Sequence, residues 1–444
     1  MAGFKIRDEM NDIDEAPGKT WFWELEQAVI DADRCVQCGA CVAACPSDSI
    51  GVGADGLPKL VKMCTGCSLC WDFCPRGGMR HEATWALPPA GGDPGAAPAG
   101  NGSSAGAGAD GGDPGAAAAG NGSSGGAGAD GADWKITGAA VPAGAGLGRV
   151  RATYTARVRP RVPGAQDGGV VSALLVALLE AGDIDGALLA RESRTEPWKG
   201  EPFLARTPAE VVECAGNFYN QTLALAALDL DGYDLPAQPR LAVVGTPCEV
   251  EAIRAMQSRP WTWGASRVDA VALTVALLCT KSFNYEKLMV EEIRRRRGIP
   301  LERVGKVDVI HGRMIVEDHD GEVLVSEPVR DFHGAALKGC DECADFLGHA
   351  ADISVGSVGS DDGYSSVLVR TPAGQAAFDR VRDRLDLRDL DRVEALHKLD
   401  ALDRKIAVRS LQRPFDPSAP LFVDFAEHVD HYAGTDRAPV VRDR

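Results

Sequence analysis

The sequence predicts a mixed α/β domain with a largely parallel sheet, preceded by a small, cysteine-rich α+β module. Three observations predict it. Twelve of the 13 cysteines fall into three groups, two of them with an identical tight spacing. Residues 88–148 are almost entirely Gly, Ala, Ser, Pro, Asn and Asp, and they divide the chain into a first domain over 1–87 and a second over 149–444. Beyond them, apolar strands alternate with helical segments, the pattern of stacked β-α units.

The first domain holds two of the cysteine groups. Cys35, Cys38, Cys41 and Cys45-Pro46 are spaced C-x2-C-x2-C-x3-C-P, and Cys64, Cys67, Cys70 and Cys74-Pro75 repeat the spacing. This is the spacing of two-cluster bacterial ferredoxins, in which three thiolates wrap one cubane and the fourth ligates the other. Cys35, Cys38, Cys41 and Cys74 are expected to hold one [4Fe-4S] cluster, and Cys64, Cys67, Cys70 and Cys45 a second. Zinc also accepts four thiolates, but rarely three at this spacing plus a fourth before proline, twice over. Disulfides are disfavoured. The first 15 residues are rich in Asp and Glu and resemble no signal peptide, so a cytoplasmic setting is expected, where thiols serve metals or catalysis.

Composition excludes other classes. The net charge is −17, with acidic residues spread along the chain, so no nucleic-acid partner is expected. A dispersed acidic surface with far more arginine than lysine suits a protein that works in high salt, where self-repulsion is screened. The longest apolar run, Val271 to Cys279, is too short to span a bilayer.

The segment 88–148 reads as a flexible linker. Gly91–Asp110 recurs almost unchanged at Gly111–Asp130, but neither unit has a large apolar residue with which to stack. About 60 such residues span roughly 40–45 Å as a random coil. Trp134 and Ile136 are its only bulky apolar pair.

In the second domain, Gly169–Gly182 reads as a helix closed by glycine, and Gly186–Arg191 as a buried strand. Arg240–Gly245 is expected to be a strand, followed by a helix from Thr246-Pro247-Cys248 to Met256. Val271–Leu278 is expected to be a fully buried strand ending at Cys279. Val307–Val325 reads as a hairpin turning near Asp318–Gly321, and Ala373–Ala407 as mostly amphipathic helix. In open α/β sheets ligands bind at the carboxyl edge of the strands, so Cys248 and Cys279 should face one edge. Cys340 and Cys343 form a C-x2-C pair, and four thiols converging there would complete a third site. Taken singly, Cys248 or Cys279 reads equally well as a small buried core residue, and spacing alone leaves both readings open. Cys214 has no spaced partner and reads as an ordinary thiol.

Residues 150 to about 410 resemble the family formed by the beta subunits of coenzyme F420 hydrogenases and dehydrogenases. The resemblance rests on Gln166–Gly169 (QDGG), Gly245–Val250 (GTPCEV), Leu278-Cys279 before Phe283, and Lys338–Arg370 (KGCDECADFLGHAADISVGSVGSDDGYSSVLVR). It implies FAD, one [4Fe-4S] cluster on Cys248, Cys279, Cys340 and Cys343, and coenzyme F420 as substrate. The chain would then hold three clusters. A ferredoxin fused at the N-terminus is similar to members that oxidise reduced F420 as input modules of respiratory complexes, so a redox partner protein or membrane-associated complex is implied. The repeated linker departs from the family pattern. It leaves two modes open: a docked ferredoxin, or a tethered one that shuttles at an effective concentration near ~1 mM.

The FAD contacts implied are Gln166, Asp167, Gly168, Gly169 and Ser172 at a helix start, whose free N–H groups suit a pyrophosphate. Asn217 and Tyr219 (in Ala215–Tyr219), Thr246, Pro247, Gly356 and Gly359 join them, the last two in a loop with Ser357, Ser360, Gly363 and Ser365. No G-x-G-x-x-G follows a strand, so a Rossmann site is not supported. The anionic tail of F420 needs a local basic patch, for which Arg191, Arg194, Lys199, Lys281 and Lys338 are candidates, Lys338 being the one expected to act in catalysis. His311, His319 and His333 read as surface residues. The competing expectations are a ferredoxin-driven reductase of a chlorophyllide-type molecule, and an electron-transfer subunit of a hydrogenase, formate dehydrogenase or quinone-linked complex.

Overall fold

The computed structural model describes residues 20–81, 147–258 and 267–411. The expected domain end near Leu87, the linker repeats, Trp134, Ile136 and the chain beyond residue 411 lie outside the described residues.

The N-terminal region is ferredoxin-like. Its strands β1 (Ile50–Val52) and β2 (Pro58–Leu60) form an antiparallel hairpin. Each cysteine run winds into a one-turn helix, Ala40–Ala43 or Leu69–Asp72, entered from a residue in the left-handed region, Gly39 (φ 81°) or Ser68 (φ 68°). That left-handed step turns the loop back around its own thiols.

The second region is built on a mixed eight-stranded sheet. Its strands are β3 (Ala152–Val158), β4 (Gly186–Glu192), β5 (Gly200–Ala205), β6 (Leu241–Gly245) and β7 (Val271–Leu277). A separate three-stranded antiparallel sheet holds β8 (Val304–Ile310), β9 (Arg313–Asp318) and β10 (Val323–Pro328). The large sheet is completed by β11 (Ile353–Gly356), β12 (Ser365–Val369) and β13 (Leu385–Arg388), in the order β13-β3-β12-β11-β7-β6-β4-β5. The centre, β4-β6-β7-β11, is parallel, and the strands on both sides of it are antiparallel. The sheet is therefore less parallel than the sequence suggested, because its flanking strands lack the long apolar runs by which buried parallel strands are recognised.

Helices α1 (Val170–Glu180) and α3 (Pro372–Val381) cover one face of the sheet, and α2 (Pro247–Ser258) packs on the other. On β4, Ala187 and Leu189 face α1, while Leu188 joins the opposite core. That is the period-2 alternation of a strand buried on both faces. Gly182 (φ 66°) closes α1 as its spacing predicts.

Three expectations are corrected. Val307–Val325 lies within a three-stranded meander, with Asp318–Gly321 turning β9 into β10. Ala373–Ala407 is divided: α3 ends at Val381, β13 joins the sheet edge, and α4 (Val393–Leu411) follows. β7 ends at Leu277, two residues before Cys279, and Ala272 on it is exposed.

The ferredoxin-like region does not stand apart. Val36, Cys38, Ala40 and Phe73 share one apolar core with Leu188, Leu241, Cys248 and Ile253 of the sheet domain. Leu223 and Leu225 donate backbone N–H bonds to Gln37 O (2.9 Å) and Cys38 O (3.2 Å). Of the two modes left open, the structure shows the docked one.

Candidate functional site

The two N-terminal cysteine groups are built alike. The N–H two residues after the first thiol donates to it, Gln37 to Cys35 Sγ (3.4 Å) and Gly66 to Cys64 Sγ (3.3 Å). Burial pushes the Cys35 thiol up to about 12, and Cys74 adds to the rise. Cys38 and Cys41 also feel Cys74, whereas Cys67 and Cys70 feel Cys45. The fourth thiol of each run has thus crossed to the other group. Cys45, Cys64, Cys67 and Cys70 line one cavity with Thr20 and Ser47.

The cysteines of the expected third group lie on neighbouring segments at the carboxyl edge of the parallel strands. Cys248 is the second residue of α2, just past β6, and Cys279 follows the parallel neighbour β7. A single 3-10 turn, Lys338–Glu342, brings in Cys340, whose Sγ accepts from Ser282 N at 3.5 Å. Ser282 Oγ also lies 3.8 Å from Cys279 Sγ. Burial, then Cys340 and Cys343, raises the Cys279 thiol well above its usual range; burial, then Cys38 of the first group, does the same to Cys248. Among the described residues, no three His, Cys, Asp or Glu side chains converge on a point where one metal ion would sit.

Charged side chains fill the seam between the first and third groups. Arg34 makes a forked pair with Glu342 (2.6 and 2.7 Å). Arg76 is 3% exposed and donates from Nε to Gly339 O at 2.6 Å. Burial opposes its charge, but Cys343, Cys248, Glu342 and Cys340 together outweigh burial and hold its pKa above the ordinary value. Beside Cys248, burial raises the Glu249 carboxyl to about 7; its Oε2 accepts from Thr246 N (2.7 Å).

A cavity of about 540 Å³ lies between the loops of the large sheet and the three-stranded sheet, within the range of small-molecule and cofactor sites. Gln166, Asn217, Trp198, Phe218, Arg161 and Lys306 line it. Trp198 and Phe218 meet edge to face at 6.2 Å, forming an angled apolar wall beside Arg161 and Lys306; Glu192, Glu213 and Glu302 also line the cavity, and Lys306 pairs with Asp308 (3.0 Å). Trp198 Nε1 donates to Val304 O (2.8 Å), fixing the wall to the small sheet.

One segment joins the cavity to the thiols. Asn217 and Phe218 line the cavity, and Gln221 Nε2 lies 2.8 Å from Thr246 Oγ1 and 3.8 Å from Cys248 Sγ. Leu223 and Leu225 then reach Gln37 and Cys38. Tyr219 and Leu223 adopt left-handed backbone (φ 48° and 50°), which kinks the segment into these contacts.

Three comparisons decide the family. Residues 153–229 match the model of the N-terminal part of the coenzyme F420 hydrogenase/dehydrogenase beta subunit, and 239–393 that of its C-terminus. Residues 28–80 match a 4Fe-4S dicluster domain. One of the F(420)H(2) dehydrogenase subunits of Methanosarcina mazei is 34% identical over 54% of this chain and 67% of its own length. The coenzyme F420 hydrogenase subunit beta of Methanothermobacter thermautotrophicus is 35% identical over 48% of this chain and 73% of its own. The chain belongs to the family of coenzyme F420 hydrogenase/dehydrogenase beta subunits. The coenzyme F420-dependent sulfite reductase of Methanocaldococcus jannaschii is 25% identical over 88% of this chain but 52% of its own length. A chain of the F420-reducing [NiFe] hydrogenase complex from Methanosarcina barkeri superposes with a TM-score of 0.55 at 28% identity, covering 60% of this chain and 92% of that one.

In this member of the F420 hydrogenase/dehydrogenase family, the structure brings some of the sequence-derived candidates together and separates others. Gln166 and Asn217 line the cavity. Thr246 and Pro247 lie at the third thiol group, where Thr246 Oγ1 is 3.2 Å from Cys248 Sγ. Gly356 ends β11 at the same edge, packed so closely that a Cβ would stand 2.7 Å from Leu278. The Gly168 N–H is not free: it donates to Ser365 Oγ (3.1 Å), tying the two glycine loops together. Gly169 is the left-handed residue that starts α1, Asp167 is near Asp308 and Lys306, and Ser172 is half-buried in the first turn. Gly359 (φ 94°) packs near Ser366, and Tyr219 donates to Asp308 Oδ1 (3.0 Å) on β8. Lys338 is exposed, and so is Arg194. Lys281 pairs with Asp341, Lys199 with Glu196, and Arg191 stacks on Phe203. His311, His319 and His333 are exposed as expected. Cys214 is half-buried against the core of α1. Sequence reasoning missed Arg76, Trp198, Arg161 and Lys306. Only Arg76 had a signal there, since Cys74-Pro75 is followed by Arg where Cys45-Pro46 is followed by Ser47.

Proposed function

We propose that this chain is an iron–sulfur flavoprotein oxidoreductase that exchanges hydride with coenzyme F420 and hands single electrons through three four-cysteine sites to a partner. The observation that carries this reading is the segment Asn217–Leu225, which borders the cavity, the third thiol group and the first in turn. At about 3.5 Å per residue its five residues from Asn217 to Gln221 keep cavity and thiols within roughly 17 Å.

Cys35, Cys38, Cys41 and Cys74 hold the first cluster, Cys45, Cys64, Cys67 and Cys70 the second, and Cys248, Cys279, Cys340 and Cys343 the third. FAD and the clusters supply the conversion of a hydride pair into single electrons, while the chain supplies placement. The wall of Trp198 and Phe218 receives a flat ring system. Arg161 and Lys306 face the anionic groups that F420 and FAD both have, with Gln166 and Asn217 as polar anchors. Lys338, exposed on the turn that carries Cys340 and not among the residues lining the cavity, is the further cation proposed for the F420 tail. Among the described residues no helix is long and apolar enough to cross a membrane, and a cytoplasmic setting is proposed.

A second reading has one specific observation behind it. The structural relative is part of a hydrogenase complex, so this chain would act as the F420-handling subunit of a larger assembly. Steady-state assays of the purified chain separate the two, with reduced F420 or a reduced nicotinamide as donor and a one-electron dye as acceptor. Turnover with reduced F420 alone is expected. Turnover with the nicotinamide alone overturns the substrate reading, and turnover only after a partner is added favours the subunit reading.

A further inference from the structure

The two cysteine runs share one spacing, and the repeat is broken at one place that matters. Each run ends in Cys-Pro, but the next residue is Ser47 in one and Arg76 in the other. Ser47 faces its own group, with Oγ 3.7 Å from Cys45 Sγ and 2.8 Å from Ser49 Oγ. Arg76 points the other way, into the seam against the sheet domain.

The seam is built around this guanidinium. Nε donates to Gly339 O (2.6 Å) and Nη1 to Pro75 O (2.9 Å). Arg76 O accepts from Arg34 Nη2 at 2.8 Å, and Arg34 in turn forks onto Glu342. The partners in this network thus flank both sites: Pro75 follows Cys74 of the first, Gly339 precedes Cys340 of the third, and Glu342 precedes Cys343. Gly339 is glycine because a Cβ there would stand 2.0 Å from Arg34 O. A cation this buried is retained only where neighbouring negative charge compensates its lost hydration.

We propose that Arg76 is a fixed positive charge held between the first and third cysteine sites, and that it raises the reduction potential of the clusters on both sides. The inference rests on those cysteines holding clusters, as proposed above. A reduced cluster with its thiolates is more negative than an oxidised one, so a cation at the seam stabilises the reduced form. Arg76 takes no part in bond making and gains no electron. It is a positioning residue whose place makes the domain seam the favoured route for charge, and Ser47 leaves the distal site without such a cation. Glu342, on the same network, opposes it.

The test is a redox titration of the full chain, followed by electron paramagnetic resonance, with iron quantified in each preparation. Arg76→Met is expected to lower the midpoint potentials of the first and third sites and leave that of the Cys45/Cys64/Cys67/Cys70 site unchanged. Glu342→Gln is expected to do the opposite at the third site, and Arg76→Lys to keep most of the wild-type values. Arg76→Met with a full iron complement and unshifted potentials overturns the proposal. If Arg76→Met does not retain its iron, Glu342→Gln decides: a raised third-site potential supports the proposal, and an unchanged or lowered one overturns it. Wild-type protein with iron for only two cubanes, about eight atoms, would instead remove the third site itself.

Discussion

Gly39 and Ser68 hold equivalent places in the two cysteine loops, both left-handed, yet only one has room for a side chain. A Cβ on Gly39 would stand 2.6 Å from Ala226 N and 2.8 Å from Leu223 O, both backbone, whereas Ser68 Oγ accepts from Thr20 N at 2.7 Å. Gly39→Ala therefore combines a strained φ with a clash at the seam, and a loss of about 1–3 kcal/mol is expected in thermal or denaturant unfolding. Ser68→Gly is expected to cost no more than its one hydrogen bond, about 1 kcal/mol. Equal losses would contradict the docked arrangement. A second prediction concerns Asp167. Burial, then the nearby Asp308, lifts its carboxyl to about 6 from an unfolded value near 3.8. The folded chain thus holds this proton where the unfolded chain has lost it, so stability falls as pH rises from about 4 to about 6 and stays lower above. Asp167→Asn is expected to raise the thermal midpoint near pH ~7.5 and to change it little near pH ~4. A variant less stable at neutral pH would show that the charged carboxylate is needed there. The cysteines were legible in the sequence because thiol spacing is itself chemistry. Trp198, Arg161 and Lys306 were not, since nothing local marks an ordinary side chain whose neighbours come from distant segments.

The central strands and helices were legible for a different reason. β4, β6, β7, α1 and α2 are uniform apolar runs or periodic faces, all but β7 bounded by glycine or proline, and each fills a layer of the core. β13 was read as helix because its alternating Leu, Asp, Leu and Arg lie between two helices, and only pairing with β3 makes it a strand. The segment Asn217–Leu225 carries no period at all; its partners set its path. The same limit applied to docking. A Gly/Ala linker of this length permits shuttling, and the seam is seen only in the structure, in the shared core, the backbone bonds of Leu223 and Leu225, and the contacts of Arg34, Arg76 and Gly339. The seam gives a discriminating prediction. Gly339→Ala is expected to slow reduction of the ferredoxin-like centres by about tenfold, equivalent to about 1.4 kcal/mol of barrier, while flavin reduction in stopped flow keeps its rate. Deletion of Gly91–Asp110 is expected to change neither rate. An unaffected Gly339→Ala would support the tethered mode instead.

The whole molecule has 64 acidic against 47 basic side chains, and its ion pairs are mostly at the surface. Surface pairs of this kind contribute little, so net repulsion dominates at low ionic strength. The unfolding midpoint is expected to rise between about 0.1 M and about 2 M KCl, as the Debye length falls from about 10 Å to below 3 Å. A midpoint that falls would mean that attractive pairs outweigh the excess of negative charge. At this scale the central proposal is that reduced F420 delivers electrons through the cavity to the cysteine sites. The direct measurement is anaerobic addition of reduced F420 to the purified chain, followed at the flavin and iron–sulfur absorption bands, with iron and FAD quantified. Bleaching of both bands, with about twelve irons and one FAD per chain, is predicted. Full cofactor content with both bands left oxidised would contradict the account.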